Sequence, residues 1–200
     1  RYLALGSAMS AFGLYGLSIW MPSFLMRAHD MAPREVGFYL GPVIGVIGAA
    51  GMVAGGWLTD IVGKRHVGAP LLLPAIASVL AIPALIAALY APTPQIAIGI
   101  YAIAYFLSVI WVAPTFSLIQ SLMPLNMRAT GTAWKLLLTN LIGLGLGPQA
   151  VGILSDVFGG TEDGHSLRLA MAIGAATLII PAFLYAFGAR FVRGDLEKVE

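Results

Sequence analysis

A stretch in the second half of the sequence repeats polar and amphipathic side chains at helical spacing. Successive members lie four, three, three and four residues apart, which places them on one face of an α-helix. Their hydroxyl and indole groups offer binding chemistry within an otherwise apolar segment. The pattern favours a cavity lining, with an interhelical contact as the alternative, for Tyr101, Tyr105, Ser108, Trp111 and Thr115.

Two further groups of polar residues are candidates for the same cavity. Tyr15 and Ser18 lie on a broader polar face near the start of the chain, where ordinary interhelical hydrogen bonding is the alternative. Lys135 is expected about one turn inside its segment, where it either extends to the membrane surface or attracts an anionic group. Asn140 is expected to form a hydrogen bond to another helix.

The residues that most enzymes need are absent from the apolar segments. Asp60 and Asp156 lie at segment ends, and the three histidines fall in predicted loops. The sequence has no cysteine and no cluster with metal-ligand spacing. We therefore expect no enzyme activity, no catalytic residue, no metal and no cofactor, and no proton-carrying residue within this chain.

The composition explains why these side chains are so unevenly distributed. Of 200 residues, 59% are hydrophobic and only 10% are charged, and the stretch 67–127 carries no charge. The mean hydropathy is +0.89. Soluble domains carry about 25% charged residues, so disorder, a nucleic-acid partner and a soluble enzyme are excluded, and the lipid bilayer is an expected partner.

Six segments are long and apolar enough to cross a bilayer as helices, which needs about 20 residues each. A turn at Pro92–Pro94 divides the longest uncharged run into two of them. The predicted fold is an all-α membrane protein of one six-helix bundle, with a tail at 191–200. The predicted spans are 2–26, 36–59, 67–90, 96–122, 132–157 and 168–190.

The basic residues predict the orientation, because they concentrate on the cytoplasmic side. Eight fall on the side of both termini and three on the other, so we expect cytoplasmic termini and a plasma (inner) membrane location. The eight are Arg1, Lys64, Arg65, Arg128, Lys135, Arg190, Arg193 and Lys198, against Arg27, Arg34 and Arg168.

An internal repeat predicts the architecture. Gly56–Gly63 and Gly152–Gly159 both read Gly-x-Leu-Thr/Ser-Asp-x-x-Gly, 96 residues apart, and close the second and fifth spans. On the predicted topology they face opposite sides, which is typical of the inverted three-helix repeats of secondary transporters. The alternative is that glycine and aspartate simply end both helices.

Glycines mark faces where another helix approaches closely. Six of them lie on one face of the second span, more consistent with a partner helix outside this chain, although part of the face could pack internally. The fifth span contains Gly143, Gly147 and Pro148, and the Gly-Pro pair predicts a kink. The six are Gly37, Gly41, Gly45, Gly48, Gly51 and Gly55.

The stretch Gly56–Arg65 resembles the cytoplasmic loop motif of the major facilitator superfamily, with Ile61 where a basic residue is expected. Leu122–Gly131 resembles the loop before the eleventh helix of that family, and Asn140–Pro148 resembles the eleventh helix of its spinster-like branch. The resemblance covers nearly the whole chain. It implies helices seven to twelve of a twelve-helix transporter, and a first residue other than Met agrees with a fragment.

The resemblance also implies roles. The partner is the N-terminal six-helix half, the stripe from Tyr101 to Thr115 lines the central cavity, and the glycines of spans two and five face the missing half. Asp60, Lys64 and Arg65 act as a conformational latch. The full latch and packing set is Gly56, Asp60, Gly63, Lys64, Arg65, Arg128, Gly143, Gly147, Pro148, Gly152 and Asp156.

The expected function is secondary active transport by alternating access of a lysolipid or other amphipathic organic anion, proton-coupled through the missing half. One alternative is a carrier for a soluble organic acid or sugar acid in the same superfamily. The other is a non-transporting membrane scaffold that dimerises through its glycine faces.

Overall fold

The computed structural model describes residues 1–64, 66–160 and 164–196, apart from the side chains of Arg193 and Asp195. All regular structure in this part of the chain is helical. Six helices of 21 to 33 residues are long and apolar enough to cross a membrane. These are the first to sixth spans, Tyr2–His29, Pro33–Gly63, Ala69–Leu89, Pro94–Ser121, Leu125–Val157 and His165–Gly188, and a short helix, Val192–Leu196, follows.

Local sequence explains where the spans begin and end. Thr93 caps the fourth span because its hydroxyl accepts a hydrogen bond from the Ile96 N–H at 3.4 Å, and Pro94 follows at the first helical position. Asp30 ends the first span in the left-handed conformation, at φ 51°. The fifth span ends at Val157, and Gly159 and Gly160 follow with positive φ angles of 109° and 55°.

The first span lies at the centre of the bundle and packs on the second, fourth, fifth and sixth spans. The third span packs on the fourth and the sixth. The second and fifth spans are the least covered, at 28% and 22% buried, against 44–56% for the others. The two halves of the internal repeat close these two spans at opposite ends of the bundle, so the predicted all-α fold with inverted three-helix repeats is confirmed.

Three spans are interrupted about four residues before a proline. The fourth span breaks between Val109 and Val112, and Pro114 follows. The sixth breaks between Ala176 and Ile179, before Pro181. Proline removes one backbone N–H and crowds the carbonyl four residues earlier, so the helix is disturbed at that carbonyl.

The fifth span absorbs its proline differently. Its segment Thr139–Leu146 is a π-helix, after which Gly147 and Pro148 restart an α-helix. The second span contains a shorter π-helical segment, Val43–Ile47. The helix of the fifth span begins at Leu125, seven residues before its predicted start at 132.

The glycine face of the second span divides into two parts. A Cβ atom at Gly37, Gly41 or Gly45 would meet nothing within 4 Å. Gly51 and Gly55 instead pack on the backbone of the fourth span, so half of the face is used within this chain.

The glycines of the fifth span also pack internally. Gly143 and Gly147 lie against Ala11 and Phe12 of the first span, and Gly152 lies against the Trp20 ring. The expectation that they face a missing bundle is wrong, because the central first span takes up the close approach that they allow.

The Gly55 contact gives a test of this packing in the full-length protein. A Cβ at Gly55 would overlap the Ile110 carbonyl oxygen, which is backbone and cannot move aside. We expect Gly55→Ala to destabilise the protein by about 1–3 kcal/mol, seen as a lower apparent midpoint of thermal unfolding in detergent. Gly99→Ala is the matched control, because a Cβ there meets nothing within 4 Å. Equal midpoints for the two variants would contradict the packing.

Candidate functional site

The predicted stripe on the fourth span is buried inside the bundle along its whole length. The rings of Tyr101 and Tyr105 lie 5.7 Å apart, and Tyr105 packs against Gly48 of the second span. Trp111 lies within the break in the fourth span. It belongs to a buried apolar cluster against which Tyr15 of the first span packs. The stripe therefore lies where the first, second and fourth spans meet.

Several polar atoms of this stripe have no hydrogen-bond partner among the described residues. They are Tyr101 Oη, Ser108 Oγ and Trp111 Nε1, all buried. Thr115 differs from them, because its hydroxyl donates to the Trp111 carbonyl at 2.7 Å within its own helix. Three of the five predicted residues thus offer a buried polar group for contact with a ligand.

Lys135 is the most unusual residue of the site. Its side chain is 1% exposed, and its Nζ lies 3.3 Å from the centre of the Phe116 ring and 5.3 Å from that of Trp111. No hydrogen-bond partner for Nζ lies in the described part of the chain. The ammonium group therefore sits between two aromatic rings, with no counter-charge among the described residues.

The option that Lys135 extends to the membrane surface is wrong. It assumed a position one turn inside the span, but the fifth helix already runs from Arg128 as regular α-helix. Lys135 is seven residues further, roughly 10 Å at 1.5 Å per residue. Its side chain turns into the bundle toward the fourth span instead.

Two residues of this site were missed by the sequence reasoning. Phe116 is five residues from Trp111, off the face defined by the stripe, and contacts Lys135 only because the fifth span packs along the end of the fourth. Thr139 follows Lys135 by one turn, and its Oγ1 is also buried without a partner in the described residues. Its spacing of four from Lys135 was the available signal.

The remaining predicted cavity residues are more exposed than Lys135 and the stripe on the fourth span. Asn140 is exposed, and its side-chain nitrogen donates to the Leu136 carbonyl of its own helix at 2.9 Å. The predicted interhelical hydrogen bond is therefore wrong within this chain. Tyr15 and Ser18 are half-buried on the first span.

A cleft of about 330 Å³ reaches Lys135 from one end of the bundle. It lies between the start of the first span, the end of the fourth and the start of the fifth. Its lining is Arg1, Ala4, Ile119, Met123, Met127, Thr130, Gly131, Trp134, Lys135 and Leu138.

The predicted latch residues are divided between the two ends of the bundle. Asp60 and Lys64 are exposed at the end of the second span, whereas Arg65 lies outside the described residues. Arg128 is exposed and its Nε donates to the Met123 carbonyl at 3.3 Å. Asp156 is exposed at the opposite end, and Gly56 and Gly63 are half-buried on the second span.

A hydrogen bond fixes the first span to the kinked fifth span. Trp20 Nε1 donates to the Pro148 carbonyl at 2.7 Å, although the two residues are 128 positions apart in the sequence. The same indole ring covers Gly152. Trp20 therefore joins the two spans just beyond the π-helical segment.

A second polar group lies at the other end of the bundle and was not predicted. The Arg168 guanidinium lies 5.7 Å from the Phe24 ring centre and 5.6 Å from that of Tyr90. His29 packs edge-on against Phe24 at 5.7 Å. His29 is the last residue of the first helix and His165 is the first residue of the sixth, so the predicted placement of these two in loops is wrong.

Known proteins share this architecture. The chain is 30% identical over 184 residues to an MFS-type efflux pump of Mycolicibacterium smegmatis (strain ATCC 700084 / mc(2)155), which covers 92% of this chain and 41% of the pump. No family model matches the chain.

Two crystal structures of a bacterial homologue of the human lysosomal transporter Spinster have the same fold. The inward-facing, unoccupied form gives a TM-score of 0.88 at 27% identity, over 97% of this chain and 48% of that chain. The inward-facing, occupied form gives 0.87 at 26% identity, over 97% and 49%.

The six helices thus form one half of a major facilitator superfamily fold. The predicted resemblance to spinster-like transporters of that superfamily is confirmed, and the chain is an integral membrane protein. It spans about half the length of the proteins that it matches.

The Trp20 hydrogen bond can be tested by hydrogen–deuterium exchange of the full-length protein. Trp20→Phe keeps the ring over Gly152 but removes a hydrogen bond worth about 1 kcal/mol. We expect the backbone amides of 143–152 to exchange about fivefold faster. Trp57→Phe is the control, since Trp57 is exposed on the second span. Unchanged exchange in Trp20→Phe would show that the bond does not hold the kink.

Proposed function

We propose that this chain is the C-terminal six-helix half of a secondary transporter that carries an amphipathic organic anion by alternating access. The observation that carries the proposal is the buried Lys135, held between aromatic rings with no counter-charge among the described residues. The proposed substrate class is a lysolipid or a similar molecule with one anionic head and an apolar body.

The fold supports the pairing with a second half. The matched pump and Spinster homologue are about twice as long as this chain, so a further six-helix unit is the expected partner. The second and fifth spans are the least covered, and a Cβ at Gly37, Gly41 or Gly45 of the second span would meet no described atom within 4 Å. These spans offer the surface on which a second bundle would pack closely.

Energetics supports an anionic substrate. Removing an ammonium group from water costs several kcal/mol, whereas a desolvated cation–π contact returns about 2 kcal/mol or more. The rings of Phe116 and Trp111 therefore offset part of the cost of burying Lys135. A carboxylate or phosphate beside Nζ would add to this stabilisation, because charge-assisted hydrogen bonds are about twice as strong as neutral ones.

The surrounding side chains support an amphipathic substrate. Trp111 Nε1 and the hydroxyls of Ser108 and Thr139 are further donors without partners in the described chain, and they suit a head group with several oxygens. The ring faces of Tyr105 and Trp111 suit an apolar body.

The proposed transport cycle is coupled to protons through the other half. The carboxylates of Asp60 and Asp156 lie at helix ends, away from the buried cluster. Carboxylates that carry protons in transporters lie at depth in the membrane, and the N-terminal half is where we place them. Cytoplasmic termini and a plasma membrane location belong to the same proposal.

The substrate proposal is tested with the full-length protein in detergent and a lysophospholipid. We expect Lys135→Gln to weaken binding at least tenfold, because a hydrogen bond to a charged group contributes about 1.5–3 kcal/mol. Arg34→Gln is the control, since Arg34 is an exposed cation at the far end of the bundle.

The same titration distinguishes the two substrate classes. Competition of a hexuronate with the lysophospholipid at similar concentration would assign the site to soluble organic acids. Equal lysophospholipid binding by the wild type and Lys135→Gln would contradict the anion site itself.

The latch proposal concerns Asp60, which lies exposed at the end of the second span, beside Lys64. An ion pair with the opposite bundle, present in only one conformation, contributes up to about 1 kcal/mol. We expect Asp60→Asn to slow transport up to about fivefold while changing substrate affinity less. Asp30→Asn is the control, because Asp30 is exposed at the other end and asparagine accepts its left-handed backbone. An unchanged transport rate in Asp60→Asn would remove the latch.

A further inference from the structure

A groove between the third and sixth spans faces away from the site described above. It has a volume of about 460 Å³ and is lined only by carbon. Several of its side chains are among the most exposed in the protein, led by Phe183 and Ile76. The lining is Leu72, Ala75, Ile76, Val79, Leu80, Ile179, Ala182, Phe183 and Ala186.

The groove has the length of one membrane leaflet. It begins three residues into the third span, near Ala69, and ends at Leu80. The eight steps from Leu72 to Leu80 rise roughly 12 Å, a little under half of the ~30 Å hydrocarbon thickness. The groove thus reaches from one surface of the membrane to about its middle, as a single acyl chain does.

Cations and aromatic rings close the surface end of this groove. Phe183 stacks on Phe187 at 6.0 Å, and the Arg190 guanidinium lies over Phe187 at 5.7 Å. Tyr2 packs edge-on against Phe187 at 5.2 Å and carries the Arg1 guanidinium at 5.3 Å. A continuous path therefore leads from Arg190 through two rings into the groove.

We propose that this groove binds one anionic phospholipid, with its phosphate at Arg190, flanked by Arg1, and one acyl chain along the third and sixth spans. The apolar lining alone would not select a ligand, because lipid tails are as apolar as leucine. Selection comes from the head group, since arginine at the membrane surface attracts anionic lipids. This site is separate from the Lys135 cleft and does not depend on the proposed substrate.

The experiment is native mass spectrometry of the delipidated full-length transporter, titrated with phosphatidylglycerol or with phosphatidylcholine of the same chains. We expect the wild type to bind phosphatidylglycerol more tightly. Arg190→Gln should weaken the first phosphatidylglycerol about fivefold and phosphatidylcholine less, because the choline cation already balances its phosphate. Ala186→Phe places a ring in the groove from an exposed position and should weaken both lipids.

Arg34→Gln is the matched control, because it removes the same charge at an exposed position at the other end of the bundle. The proposal is overturned if Arg190→Gln binds phosphatidylglycerol like the wild type, or if Arg34→Gln loses as much. A dimer that Ala186→Phe dissociates would assign the groove to a second copy of the chain, which also overturns it.

Discussion

Hydrocarbon offers no hydrogen-bond partner, so each polar group within these spans must find one inside the protein or remain without one. This constraint explains why the described chain is helical throughout, since a helix satisfies its own backbone. It also explains where helices break. The fifth span is disturbed before Pro148, and the first span packs there, where its Trp20 indole N–H donates to the carbonyl of Pro148 itself. The helix breaks lie where a neighbouring span packs against them.

Close helix approach is the second consequence of a lipid environment, because burial of apolar surface no longer drives association. The first span occupies the centre by using small residues on both sides of the contact. Gly143 meets Ala11, and Gly147 meets the backbone at Phe12 and Gly16. The fourth span makes the equivalent contact with Gly55 of the second span. Two tight pairs, first with fifth and second with fourth, thus form the frame around the buried polar cluster.

The sequence alone predicted the features that depend on long patterns. Six spans, the inverted repeat and the family resemblance follow from runs of twenty apolar residues and from eight matched positions. It did not predict features that depend on which faces meet. Pro22, Pro74 and Pro83 lie within helices that continue without a break, so proline positions alone do not locate the interruptions.

Depth was the least predictable property of the candidate site. The spans were predicted from uncharged apolar runs, which leave out polar residues at the start of a helix. The fifth helix begins among such residues at Leu125, so Lys135 lies two turns further from the helix start than predicted. Phe116 lies off the helical face that defines the stripe, and only the packing of the fifth span against the fourth brings it to Lys135. Phe116 and Lys135 come from two consecutive spans and meet only because those spans pack against each other.

The internal repeat extends to a distortion of the backbone. The π-helical segments begin at Val43 and Thr139, 96 residues apart, the same offset as the two Gly-x-Leu-Thr/Ser-Asp motifs. π-helical turns weaken a helix and recur at functional sites. At this offset, Lys135 corresponds to Tyr39, which is exposed, whereas Lys135 is buried beside Phe116. The two repeats therefore have π-helical segments at equivalent positions. The buried cation of the candidate site, Lys135, occurs in only one of them, so the two repeats differ in chemistry although their backbones correspond.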